Sequence, residues 1–210
     1  MRSLIAAVVL LALAGTALGQ ARVIPNPTKD YMRQLARPGQ FVLVVEYFDP
    51  KLNAAVDRLG LISKTPFTPK GLAEIKASDT MRLILGGIKP CASTEPISYE
   101  DYQGPCADLT RYGLDQITRN ARVLICRAYL DQKGKAAQEV ACFAYTNFPG
   151  ALESVDPVEA TLVAQGMAFV ARGVDGKPER PDLVSSEELA RSQRLALWSM
   201  DPVPKPAGAP

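Results

Sequence analysis

Four cysteines and no histidine limit the chemistry open to this 210-residue chain. A Ser-His-Asp triad, a Cys-His pair, a histidine-bound nuclease metal and a zinc-hydrolase centre all need an imidazole. What remains is carboxylate, lysine, arginine or tyrosine chemistry, with or without a hard oxygen-bound cation such as calcium. The cysteines, Cys91, Cys106, Cys126 and Cys142, have no Cys-x-x-Cys spacing, which argues against zinc. In an exported chain they favour two disulfides. Several pairings are open. Cys91–Cys106 and Cys126–Cys142 are preferred, because each pair flanks one local unit.

Export is read from the first residues. Arg2 precedes an apolar run from Leu4 to Ala14, and Ala17-Leu18-Gly19 fits a small-x-small cleavage site. That is the pattern of a secretory signal peptide over residues 1–19. The run is shorter than the ~20 apolar residues a membrane span needs. No later stretch is long and apolar enough to span, so the expectation is an exported, periplasmic or secreted protein without a membrane span. A net charge of +2 before cleavage does not by itself announce a nucleic-acid binder.

The elements that would position any site follow in order. Residues 20–40 read as a flexible segment, with a short helix over Lys29–Ala36 capped by Thr28. Phe41–Phe48 is apolar and β-branched, a buried strand. Asp49-Pro50 reads as a helix start, with Leu52, Val56 and Leu59 at helical spacing and Gly60 as the stop. Gly71–Lys76 is a short strand or turn. Met81–Ile88 is a strand bent at Gly86-Gly87. Cys91–Cys106 reads as a loop whose Tyr99, Glu100, Asp101 and Tyr102 face solvent. A helix follows over Ala107–Arg119. Arg122–Leu130 and Glu139–Tyr145 form a hairpin around Gly134. A helix is expected from Asp156 to Gly166, with Asp156 as cap, Pro157 at the first position and Glu159 closing a capping box. Met167–Arg172 is a strand. Ser185–Glu188 is a second capping box opening a helix to Trp198. Residues 202–210 read as a disordered, proline-rich tail.

The order of strands, helix, hairpin, helix, short strand and helix points to an α+β fold: an OB-like five-stranded β-barrel with added helices. The C-terminal part resembles the staphylococcal nuclease (thermonuclease) family. The residues that carry this are Glu159 through Val170, Glu188-Leu189-Ala190-Arg191 and Leu197-Trp198-Ser199. Arg82-Leu83 followed by Gly87-Ile88 resembles that family's "Arg-Leu-x-Gly-Ile-Asp-x-Pro-Glu" strand. The resemblance covers residues 80–201, within an expected domain of residues 41–201.

The resemblance implies calcium-dependent cleavage of nucleic-acid phosphodiesters. Such a reaction needs carboxylates to hold the cation, a Glu to activate water, and two arginines to neutralise the pentacoordinate phosphate. Arg82 matches the first arginine. Lys89 stands where the metal-binding Asp is expected, and a cation there repels calcium. Pro90 is followed by Cys91 where the catalytic Glu is expected. Lys135, in Asp131-Gln132-Lys133-Gly134-Lys135, replaces the second arginine and loses its two-pronged phosphate contact. Asp79-Thr80 resembles half of an upstream "Asp-Gly-Asp-Thr" but lies too near Arg82.

The expectation is a nuclease-like module without the standard site, needing no cofactor and acting by binding. Arg82, Lys89, Lys133 and Lys135 would form a small basic patch for nucleic acid or another anion; the plainer reading is a solvated hairpin tip. An envelope protein is the other partner class. The alternative is an altered nuclease that uses Ca2+ and carboxylates from Glu95, Glu100 or Asp101.

Overall fold

The computed structural model describes residues 25–147 and 153–208. The signal-peptide expectation lies outside them. The described chain is an α+β fold built on one large mixed sheet with four α-helices.

The sheet starts with β1 (Phe41–Asp49), which is buried along almost its whole length, as its apolar run demands. Its hairpin partner is β2 (Ala54–Ser63), antiparallel, with Leu43 opposite Leu61 and Val45 opposite Leu59. Three short strands follow: β3 (Pro69–Gly71), β4 (Glu74–Lys76) and β5 (Arg82–Leu85). Next come β6 (Ile88–Lys89), β7 (Pro96–Tyr99) and β8 (Tyr102–Pro105). The central pair is β9 (Val123–Tyr129) and β10 (Ala137–Thr146), with β11 (Ser154–Pro157) and β12 (Phe169–Val170) after it. The helices are α1 (Lys29–Leu35), α2 (Leu109–Asn120), α3 (Val158–Ala164) and α4 (Val184–Ser192).

Strand order in the large sheet is β2-β1-β9-β10-β5-β4-β3, with β11 on β10. The path begins at β2 and ends at β3, and these do not pair. The five-stranded barrel expected from the sequence is therefore an open eight-stranded sheet among the described residues. The β1–β2 hairpin is what changes the geometry: β1 runs parallel to β9 and extends the sheet on that side.

One face of the sheet carries Leu43, Val45, Leu83, Leu85, Leu124 and Val140 into the main core beneath α2, α3 and α4. The opposite face carries Val42, Val44, Val123, Ile125, Phe143 and Tyr145, and α1 lies over it through Met32. Residues read as a flexible segment thus contain a docked helix, capped as expected by Thr28, whose Oγ1 accepts the Tyr31 N–H at 3.3 Å. On this face Arg127 and Glu46 form a buried ion pair at 2.7 Å, and the Tyr31 hydroxyl donates to Glu46 at 2.7 Å. Burying two charges is tolerated because each has a further partner, the Tyr31 hydroxyl for Glu46 and the Pro25 carbonyl for Arg127.

Three further expectations are corrected. No helix follows Asp49. The Asp49 carboxylate accepts the Lys51 N–H at 2.8 Å in a tight turn, Asn53 takes a positive φ of 47°, and Ala54 starts β2. Helical spacing at Leu52, Val56 and Leu59 had no core to face: Leu52 is 66% exposed. The loop between Cys91 and Cys106 is partly a β7–β8 hairpin, and Tyr102 is buried with its hydroxyl on the Pro105 carbonyl at 2.6 Å. Where a disordered tail was expected, Lys205 and Ala207 run beside Pro90–Ala92. The Ala92 N–H donates to Lys205 O at 2.9 Å and the Ala207 N–H to Pro90 O at 2.8 Å. Both preferred disulfides, Cys91–Cys106 and Cys126–Cys142, are formed.

Candidate functional site

Arg82 opens β5 because Leu83 and Leu85 alternate into the core and leave Arg82 and Ile84 on the other face. Its backbone N–H donates to Ala136 O at 2.8 Å, which fixes it beside the base of the β9–β10 hairpin. The guanidinium is not left for a ligand alone. Its Nη1 donates to Glu74 Oε2 at 2.8 Å, from the adjoining β4. No local pattern points to Glu74, because the pairing of β4 with β5 is set by tertiary register.

The hairpin turns through Leu130–Gln132 and Gly134, whose φ of 84° needs glycine. Lys133 pairs with Asp57 of β2. This contact raises the lysine above its ordinary value and lowers Asp57 below the usual carboxylate range, chiefly through the shared hydrogen bond. Lys133 and Lys135 line a cleft of about 460 Å³ with Tyr47, Asp57, Met81 and Gln138. The Tyr47 hydroxyl donates to Gln138 Oε1 at 3.0 Å across its floor. Arg58 also lines the cleft and Arg82 stands beside it; of these cations Arg82 and Lys133 carry a carboxylate partner from the N-terminal half.

Lys89 is not among them. The chain bends at Gly86-Gly87, where a Cβ on Gly87 would overlap Arg180 Cγ, and φ is 75°. Beyond the bend, β6 pairs with β12, Lys89 opposite Phe169, and the lysine lines a different pocket with Arg172, Arg191 and Trp198. The basic patch read from the sequence is therefore two separate sites. Cys91, where a carboxylate base was sought, is buried in its disulfide.

The substitute carboxylates lie elsewhere. Glu95 sits on the exposed approach to β7, where its carbonyl accepts the Cys106 N–H at 2.9 Å. Glu100 and Asp101 form the β7–β8 turn and line a pocket of about 460 Å³ with Tyr112, Gln116 and Asp156. Neither lines the cleft beside Arg82. Among the described residues, no group of three or more His, Cys, Asp or Glu side chains could hold a metal ion.

Glu159, read as closing a capping box, and Glu187, the residue before the Glu188 that closes the second box, are both buried and have other roles. Glu159 is fully buried on α3, and its two carboxylate oxygens lie 2.9 and 3.2 Å from the Cys142 N–H. Burial pushes its carboxyl up to about 7, against the pull of the Cys142 N–H and the Arg180 charge. Glu187 on α4 accepts the Val170 N–H at 2.9 Å and Arg172 Nη2 at 2.5 Å. Glu159 is an acid in the mostly apolar run of α3, and that break in the pattern was the available signal; Glu187, between Ser186 and Glu188 on α4, offered none. Asp156 belongs to β11, where it accepts from Ser154 Oγ at 2.6 Å, and helix α3 starts after Pro157.

Residues 110–200 match the family model for staphylococcal nuclease homologues. A micrococcal nuclease of Shigella flexneri is 32% identical over 89 residues, 42% of this chain and 49% of the relative. The alignment thus spans about half of that relative. The matched segment holds the second cysteine pair, the hairpin lysines, Glu159, Glu187 and Trp198, and leaves Arg82 and Lys89 outside it.

Proposed function

We propose, for a chain whose residues 110–200 are staphylococcal nuclease-like, that this is an exported module that binds and does not cleave. The observation that carries the reading is the separation of the expected catalytic positions. Lys89 and Cys91 stand where the resemblance implies carboxylates; the lysine lines a pocket apart from the hairpin cleft and the cysteine is locked in a disulfide. Arg82 is partnered by Glu74, and Lys133 by Asp57. A phosphate would have to compete with Asp57 inside the cleft and with Glu74 for Arg82 beside it, which weakens an electrostatic nucleic-acid site.

The test is turnover of single-stranded DNA, duplex DNA and RNA by the mature oxidised protein, with calcium and with chelator, beside Arg82→Ala. The expected result is no calcium-dependent cleavage by either protein. Calcium-dependent cleavage that Arg82→Ala reduces a hundredfold or more would overturn the reading, since removing one donor to a charged transition state costs about that much. It would establish the altered nuclease, with Glu74 as the carboxylate nearest to hand.

A further inference from the structure

We propose that the pocket around Lys89 and Trp198 is a binding site for a small amphipathic anion: a phosphate or carboxylate head on an apolar body. It deepens the binding reading above and lies at a site that shares no lining residue with the hairpin cleft.

The pocket has a volume of about 750 Å³, within the range of small-molecule sites. Its charge is unbalanced. Lys89, Arg172 and Arg191 converge on it against one carboxylate, Glu187. Glu187 is already committed: it is buried, holds the Val170 N–H and Arg172, and lies 3.5 Å from Arg191. Lys89 has no ion-pair partner among the described residues, and the two arginine side chains are 40% and 58% exposed. Three cation heads at one mouth, with one buried counter-charge, favour an anionic head.

The rest of the lining is apolar. Phe169 and Trp198 meet edge to face at 5.3 Å, and Arg191 lies over the indole at 4.4 Å. Val174, Val203, Pro204 and Pro206 continue the wall. The C-terminal segment is held there by its two backbone bonds to Pro90 and Ala92, so this wall is built. Trp198 Nε1 is the one buried side-chain donor or acceptor among the described residues that lacks a partner. Such a group is uncommon in a finished interior. An anion with no apolar part would leave the aromatic and proline wall unused; an alcohol would leave the cations unused.

Trp198 is the chain's single tryptophan, so its fluorescence reports this pocket directly. The oxidised full chain is titrated with decyl phosphate below its micelle-forming concentration, beside hexyl phosphate, decanol and inorganic phosphate. Decyl phosphate should change Trp198 emission saturably, with affinity rising about threefold to fourfold per methylene from the hexyl to the decyl compound. Decanol and inorganic phosphate should bind at least tenfold more weakly. Lys89→Glu, at an exposed position, should weaken decyl phosphate at least tenfold with the far-UV spectrum unchanged, and so should a chain ending at Pro202. No saturable response to decyl phosphate, decanol binding as well as decyl phosphate, or undiminished binding by Lys89→Glu would each overturn the proposal. Calcium-dependent cleavage in the nuclease assay would overturn the loss of catalysis and leave this result standing.

Discussion

Glu159 places an acid where the fold has little water to offer it. Its oxygens receive the Cys142 N–H, but burial dominates and lifts the carboxyl from 4.5 to about 7. A carboxyl raised in the folded state binds its proton more tightly folded than unfolded, so its contribution is complete below the unfolded value and is lost as pH rises toward 7. The span corresponds to roughly 3 kcal/mol. Glu159→Gln keeps an oxygen to accept the Cys142 N–H and removes the titration. Urea unfolding of both proteins from pH 4.5 to 8 should therefore diverge with rising pH, the wild type losing stability relative to the variant until about pH 7 and holding a constant gap above it. Parallel curves would mean that the carboxyl keeps an ordinary affinity for its proton. Glu159 also marks where site reading from sequence stopped. An acid three residues after a polar residue fits a capping box, and only the packing of α3 against β10 turns that acid inward. For Arg82 the sequence supplied the residue and its strand but not Glu74, because the carboxylate reaches it across a register that no local pattern encodes.

At the scale of single elements, α1 tests how far the N-terminal region belongs to the fold. Met32 is 0% exposed and packs on Val42, Val44 and Phe143. Arg33 donates Nε to Glu153 Oε1 at 2.9 Å, tying the helix to the segment before β11. Met32→Ala removes the buried contact and should cost about 2–5 kcal/mol; a denaturation midpoint within error of wild type would place α1 outside the cooperative unit. The helix itself was legible from Thr28 and its length, while its docking was not, since one buried methionine in seven residues makes no stripe. Elements with continuous or alternating apolar patterns, β1, β5, β9 and β10, were read close to their observed bounds. The failure at Asp49-Pro50 has a definite cause. An acid followed by proline suits both a helix cap and a tight turn, and the choice fell to the edges of β1, whose backbone groups take β2 as a partner. The long helix expected from Ser185 to Trp198 was half right: α4 ends at Ser192, and positive φ at Arg194 and Ala196 turns the chain so that Leu197 and Trp198 reach the core on a separate 3-10 turn.

Across the whole molecule, the boundary of the family match and the boundary of the folded unit do not coincide. Residues 110–200 contain β9, β10, β11 and β12 with most of α2 and all of α3 and α4. The strands that flank the central pair, β1 beside β9 and β5 beside β10, both lie upstream. Cutting at residue 110 would leave both outer edges of the β9–β10 pair open over these lengths and strip β6 from β12. It would also remove Glu46 from Arg127, whose guanidinium lies over Phe48 and Phe143 and is buried in the intact sheet. Removing one partner of a buried pair costs about 3–5 kcal/mol, a large share of the ~5–15 kcal/mol by which a domain is stable. The Cys126–Cys142 bond joins only strands that remain, so it cannot replace the missing ones. A fragment of residues 110–200 should therefore show no cooperative urea transition, exchange its β9 and β10 amides rapidly and bind a hydrophobic dye, whereas residues 25–208 should unfold in one transition. A cooperative transition and slow β9 exchange in the short fragment would show that the nuclease-like segment carries its own core and that the N-terminal strands are an addition to a complete domain.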